Sequence, residues 1–212
     1  MTNFIKKLFT LAFASLFISS ALFAESAASN AEFKKVCQSI SSHKITKGSF
    51  SQTKMIKKIK REIKSSGVFI VSIDDGVLWN TQKPFASSMA ISSKGIVQTA
   101  ANGKKTVTSA SSNATFEQVS SLMTSLFNGD INMLDKNFDM EFIGDSNNWN
   151  VNLTPKDASI KAFISTIEMA GKTTINSMVL NEASGDFTKY EFSNQTFPSA
   201  LTKDEKAAFS DQ

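Results

Sequence analysis

Cys37 and His43 are the single cysteine and the single histidine of this 212-residue chain, so thiol chemistry or a zinc site of the cysteine-histidine kind would have to begin with them. One thiol and one imidazole supply neither a thiolate cluster nor the several nitrogen and sulfur ligands that zinc takes. Phe33, Val36, Cys37 and Ile40 fall at i, i+3, i+4 and i+7, which places the thiol in the apolar stripe of a helix as a small packed residue. Asp74 and Asp75 are adjacent carboxylates, but Gly76 follows them, and neighbouring residues on a tight turn point apart. No Gly-rich phosphate loop and no Gly-x-Ser-x-Gly elbow occurs. The sequence therefore assembles no catalytic group, metal site or cofactor site, and a non-enzymatic role is expected.

The chemistry that remains is apolar, and the stretch Gly48 to Pro84 organises it. In GVFIVSI, Phe69, Val71 and Ile73 share one face of a strand; beyond the Asp74-Asp75-Gly76 turn, Val77 and Trp79 share one face of the next. A β-hairpin is expected, with Gly76 taking positive φ and the aspartates bracing the turn. The whole chain holds 18 Phe, 8 Met, two Trp and one Tyr. On a curved antiparallel sheet, large apolar residues of the concave face either pack against a helix or line a cavity for an apolar ligand. Phe50, Phe69, Val71, Ile73, Val77, Trp79, Met89 and Ile91 are the candidates for such a face, and periodicity serves a filled core and a cavity equally.

The N-terminus reads as a secretory signal peptide over residues 1–24: Lys6 and Lys7, an apolar run from Leu8 to Phe23, and small residues around Ala21 and Ala24. Glu25, not a cysteine, stands directly after the expected cleavage site, so no lipid anchor is expected on the mature chain. Removing Lys6 and Lys7 from the 23 basic residues leaves 21 against 19 acidic ones, a near-neutral balance that argues against a dedicated nucleic-acid binder. Residues 25–212 have the length of one domain with a substantial core.

Along that domain, Asn30 can cap a helix over about residues 31–42, with Lys34 and Lys35 facing solvent. Ile45 to Met55 reads as a strand. Ile56 to Ile63 alternates Ile with Lys, Arg and Glu and is expected to be a half-buried strand with a solvated basic face, the alternative being a membrane-surface or partner patch. Ser87 to Ser92, Ile96 to Ala100 and Lys104 to Ser109 form a meander broken at Lys94-Gly95 and Asn102-Gly103. Phe116, Val119, Met123, Leu126 and Phe127 then recur at helical intervals up to Asn128-Gly129, and a further turn is expected over Ile131 to Leu134. Strands resume at Phe138 to Ile143, Trp149 to Leu153, Ile160 to Met169, Ile175 to Asn181 and Phe187 to Phe192. Ser199 to Phe209 is expected to be a short helix or a tail. The reading is a mainly β, α+β fold: a strongly curved antiparallel sheet of ten to eleven strands.

These segments resemble the LolA family of periplasmic outer-membrane lipoprotein carriers. The resemblance lies in the order of a signal peptide, a first helix, Gly48-Ser49-Phe50-Ser51-Gln52, Gly67-Val68-Phe69-Ile70-Val71, Leu78-Trp79 and Lys83-Pro84. It continues in Val151-Asn152-Leu153-Thr154-Pro155, the strand near Ile175 and Ser184-Gly185-Asp186-Phe187-Thr188-Lys189-Tyr190-Glu191-Phe192, over roughly residues 30–197. It implies a half-open antiparallel β-barrel whose concave face is covered by helices as a lid, with Phe116, Val119, Met123, Leu126 and Phe127 on the lid. It also implies a periplasmic carrier that takes lipoprotein acyl chains, or a related exported lipid, from an inner-membrane transporter to an outer-membrane acceptor, with no covalent chemistry; a monomer without a nucleic-acid partner is expected. The family's Arg-Pro pair before the turn, whose arginine holds the lid closed, is replaced by Ile73 and Asp74, and isoleucine donates no such hydrogen bond. The competing reading is an envelope adaptor with a filled core that binds a protein partner through its sheet surface, for which the lysines of residues 57–64 are the motive.

Overall fold

The structure is a computed structural model and describes residues 30–92, 94–109 and 124–210. The chain runs from helix α1 (residues 30–41) into an antiparallel meander. Its strands are β1 (Ile45–Ile56), β2 (Arg61–Ser72), β3 (Gly76–Lys83), β4 (Ser87–Ser92), β5 (Gly95–Thr99) and β6 (Lys105–Ser109). Helical residues 124–128, here α2, and helix α3 (Ile131–Asn137) follow. Next come β7 (Phe138–Asp145), β8 (Asn148–Pro155), α4 (Ala158–Lys161), β9 (Ile164–Gly171), β10 (Ile175–Glu182), β11 (Phe187–Thr196) and α5 (Lys203–Ser210).

All eleven strands belong to one sheet, ordered β6-β5-β4-β3-β2-β1-β11-β10-β9-β8-β7, and every pairing is antiparallel. The long β1 joins the two meanders by pairing with β11, Phe50 opposite Phe192 and Gln52 opposite Tyr190. β6 and β7 stay unpaired with each other, so the sheet is a half-open barrel that hydrogen bonds do not close. Period-two alternation gives each strand one face toward the concave side. There Phe50, Phe69, Val71, Val77, Ile91, Val151, Leu153, Ile167, Met169, Met178 and Phe192 join Phe33, Val36 and Cys37 of α1, Leu126 of α2 and Leu134 of α3 in one core.

The expected β2–β3 hairpin forms, with Gly76 at φ +116° and the Ser72 hydroxyl donating to Asp75 Oδ2 at 2.7 Å across the turn. Four expectations change. Asn30 already lies within the helical residues rather than standing outside them as a cap. Ile56 to Ile63 is not one strand: the chain reverses through a 3-10 turn at Lys57–Ile59 with Lys60 at φ 49°, and Ile59 and Ile63 at this hairpin tip are exposed. Ile160 is buried on α4, which Asp157 caps by accepting from the Ser159 and Ile160 amides, so β9 starts only at Ile164. Ile73 lies past the end of β2, where its amide donates to the Lys44 carbonyl, and its side chain is 41% exposed.

The C-terminal residues, unclear in sequence, form α5 on the opposite face of the sheet. Leu201 and Phe209 pack there on Ile45, Ile70, Leu78 and Ala90, the outward-facing set of β1 to β4. A capping box starts the helix: Glu205 N–H donates to Thr202 Oγ1 at 3.3 Å, and Thr202 N–H donates back to Glu205 Oε2 at 2.7 Å. Lys47 Nζ reaches both Glu205 carboxylate oxygens at 2.6 Å, tying the helix to β1.

Candidate ligand cavity

The sheet register assembles the residues singled out in the sequence into two cross-strand rows. Phe69, Trp79 and Met89 face one another on β2, β3 and β4; one step along, Val71, Val77, Ile91 and Ile96 form a second row that extends to β5. Opposed side chains on one pleat face stand close enough to touch, so these rows make a continuous apolar wall. Gly48, opposite Phe69 on β1, is part of the design: a Cβ there would lie 2.8 Å from the Phe69 ring, so only glycine lets that ring fold over β1.

An aromatic cluster occupies the centre. Trp79 stacks on Phe50 with centroids 4.1 Å apart and meets Tyr190 edge-on at 5.5 Å and Phe192 at 6.2 Å. Phe127, at the end of α2, closes over this cluster at 6.4 Å from Phe69, 6.5 Å from Trp79 and 5.7 Å from Phe192. Such tilted and edge-on pairs each contribute about 1 kcal/mol beyond area burial.

Two spaces flank Phe127, which lines both. The smaller, about 20 Å³, lies under α1 among Ile40, Val71, Ile175, Phe192 and Phe197. The larger, about 170 Å³, is walled by Val77, Trp79, Met89, Ile91 and Met178, with Gln52, Thr81, Ser87, Gln98 and Tyr190 toward one end. It compares with the apolar cavity of about 150 Å³ that admits benzene and falls short of the roughly 300 Å³ at which drug-sized sites begin. The larger space thus has room for a short stretch of hydrocarbon, with Phe127 as part of its wall. Burial pushes the Tyr190 phenol up to about 12, with the Glu182 charge adding to the effect, so the cavity wall is uncharged there at neutral pH.

Phe50, Phe69, Val71, Val77, Trp79, Met89 and Ile91 lie together on the concave wall; Ile73 does not join them and is a turn residue, 41% exposed. Leu126 is buried in the core and Phe127 stands at the cavity, whereas Phe116, Val119 and Met123 lie outside the described residues. Sequence reasoning missed Tyr190, Phe192 and Met178 as cavity residues. Their strands are distant in sequence from the hairpin, and only the β1–β11 pairing brings them against Phe50 and Trp79.

Cys37 and His43 have structural surroundings. The Cys37 thiol is 3% exposed and pushed up to about 12, by burial first and the Asp130 charge second, while the His43 ring stacks on Phe197 at 3.7 Å. Among the described residues no three His, Cys, Asp or Glu side chains converge to hold a metal.

An open, curved antiparallel sheet with helical residues packed on a concave apolar wall defines the class of fold. The family model of the outer membrane lipoprotein carrier protein LolA matches residues 41–206, and the chain belongs to that family. A search of curated proteins by sequence returned no match. Solved structures similar to it include a DUF1329 family protein from Desulfovibrio piger, at 11% identity and TM-score 0.49 over 86% of this chain and 98% of that one. A LolA superfamily protein from Nitrosomonas europaea is 10% identical with TM-score 0.45, over 81% and 97% of the two chains. The lipoprotein LppX of Mycobacterium tuberculosis is 9% identical with TM-score 0.47, over 83% and 99%.

Proposed function

We propose that this protein is a periplasmic carrier that shields the acyl chains of a lipoprotein, or of a related exported lipid, between an inner-membrane donor and an outer-membrane acceptor. The observation that carries the reading is the cavity of about 170 Å³ between the apolar rows of the sheet and the ring of Phe127. Each methylene taken from water is worth about 0.8 kcal/mol, so even four of them would gain about 3 kcal/mol against that wall. A carrier must also release its load. Ile73 and Asp74 stand where the family has Arg-Pro, so closure here rests on aromatic packing of Phe127 rather than on an arginine latch, and such packing exchanges readily for ligand contacts.

Purification of the protein from its native host, followed by organic extraction and mass spectrometry, tests the reading. Recovery of an acyl-bearing species in stoichiometric amount is expected. Repeated recovery without lipid, together with no binding of acylated probes, would refute it.

A further inference from the structure

Residues 57–64 read Lys-Lys-Ile-Lys-Arg-Glu-Ile-Lys, five cations against one carboxylate. The fold gathers them at the tip of the β1–β2 hairpin, and all eight are exposed, Ile59 at 59% and Ile63 at 45%. β2 pairs with β3 only from Ser66 onward, so Arg61 to Ser65 overhang that side of the sheet by roughly 16 Å at the usual rise per residue. On the other side the tip adjoins the β10–β11 turn, where Lys57 N–H donates to Asp186 Oδ1 at 2.9 Å. The same turn holds the Phe163 carbonyl through the Ala183 amide at 2.9 Å, and the Phe163 side chain is 64% exposed. Phe85, in the β3–β4 turn at this end of the sheet, is 78% exposed. By contrast, the exposed Ile73 at the opposite end adjoins Asp74 and Asp75.

Isoleucine and phenylalanine side chains exposed among lysines suit one environment better than water: the interface of a bilayer carrying negative headgroups. There the apolar tips enter the acyl boundary while the ammonium groups stay at headgroup level. We infer that this rim is an attachment surface for an anionic bilayer, with the β1–β2 tip as its leading edge. The polar pair Thr81 and Ser87 of the cavity lies on the same side of the aromatic rows as this rim, so attachment presents that end of the cavity to the lipid. The inference does not rest on the carrier reading, because it concerns the outer rim and is measured without cargo.

The test is flotation of the whole protein with vesicles of phosphatidylglycerol and phosphatidylethanolamine, against vesicles of phosphatidylcholine alone. The wild type is expected to float with the anionic vesicles, to weaken strongly when salt is raised, and to stay behind with the neutral ones. Lys57→Glu/Lys58→Glu and Ile59→Ser/Ile63→Ser change only exposed side chains, so both should keep the wild-type far-ultraviolet circular dichroism while binding about tenfold more weakly or worse. Equal binding by the wild type and both folded variants would overturn the inference. So would a wild type that ignores anionic vesicles, a result that would leave an acidic protein surface as the partner of these cations.

Discussion

Phe50 and Trp79 stack with ring centroids 4.1 Å apart although β2 runs between their strands. The residue opposite Phe50 on β2 is Gly67, which puts no side chain between the two rings. Phe50→Ala should therefore cost about 3 kcal/mol, the lower part of the usual range for a buried phenylalanine, because Trp79 can settle partly into the vacated space. Urea unfolding should show a lower midpoint with an unchanged slope; a loss well under 1 kcal/mol would mean that the stack contributes little.

Phe127 separates the two spaces on the concave side, so Phe127→Ala should join them. Affinity is expected to rise for long acyl probes and to change little for short ones, since only a long chain reaches past the former partition. Titration with fluorescent fatty acids of increasing length reads this directly. A uniform loss across all lengths would instead make Phe127 a contact residue with no partitioning role.

Stability should be insensitive to pH through neutrality and should fall in alkali. The Cys37 thiol rises from 9.0 to about 12 and the Tyr190 phenol from 10.0 to about 12 on folding. Both folded values exceed the unfolded ones, so the folded state holds more protons over this window, and the associated stability is complete below about pH 9 and lost as pH climbs toward 12. Melting temperatures at stepped pH should show Cys37→Ala flattening the first part of the fall and Tyr190→Phe the later part. Parallel curves for all three proteins would contradict the assignment.

Much of the concave wall was legible because it is local. Phe69, Val71, Val77 and Trp79 lie within eleven residues around one turn, and period-two alternation plus Asp74-Asp75-Gly76 fixes their shared face. The β11 half of the cavity was not legible, because Tyr190 and Phe192 reach Trp79 only through pairing across more than a hundred residues. The run Ile56 to Ile63 misled for a physical reason: alternating Ile and Lys suits an amphipathic strand, but the chain reverses inside it and leaves the isoleucines in solvent. Ile73 continued the alternation of Phe69 and Val71 on paper, yet the turn ends the strand one residue earlier.

Helix α5 shows a signal that could have been read. Thr202-Lys203-Asp204-Glu205 is a capping box, and its apolar partners Leu201 and Phe209 serve the outer face of the sheet rather than the cavity. Burial alone would push the Glu205 carboxyl up, but hydrogen bonds from Lys47 and Thr202 outweigh it and hold the group below the usual carboxylate range. This contribution is thus present above that range and lost as pH falls below it. Glu205→Ala should cost roughly 1 kcal/mol through the lost cap and ion pair and should leave acyl-probe binding intact. A matching loss of binding would show that the outer helix is coupled to the cavity.

The central claim, that hydrocarbon enters the space beside Trp79, can be tested with the protein's own fluorescence. The chain has two tryptophans: Trp79 on the cavity wall, and Trp149, 1% exposed on β8 with its Nε1 donating to the Lys172 carbonyl. A fatty acid brominated along its chain quenches only an indole that it touches. The wild type is expected to lose a large, saturable part of its emission on titration with the brominated acid, whereas Trp79→Phe, which retains Trp149 and a ring in the cavity wall, should still bind the acid but show almost no quenching. Equal quenching of the two proteins, or none in the wild type at saturating acid, would contradict the claim.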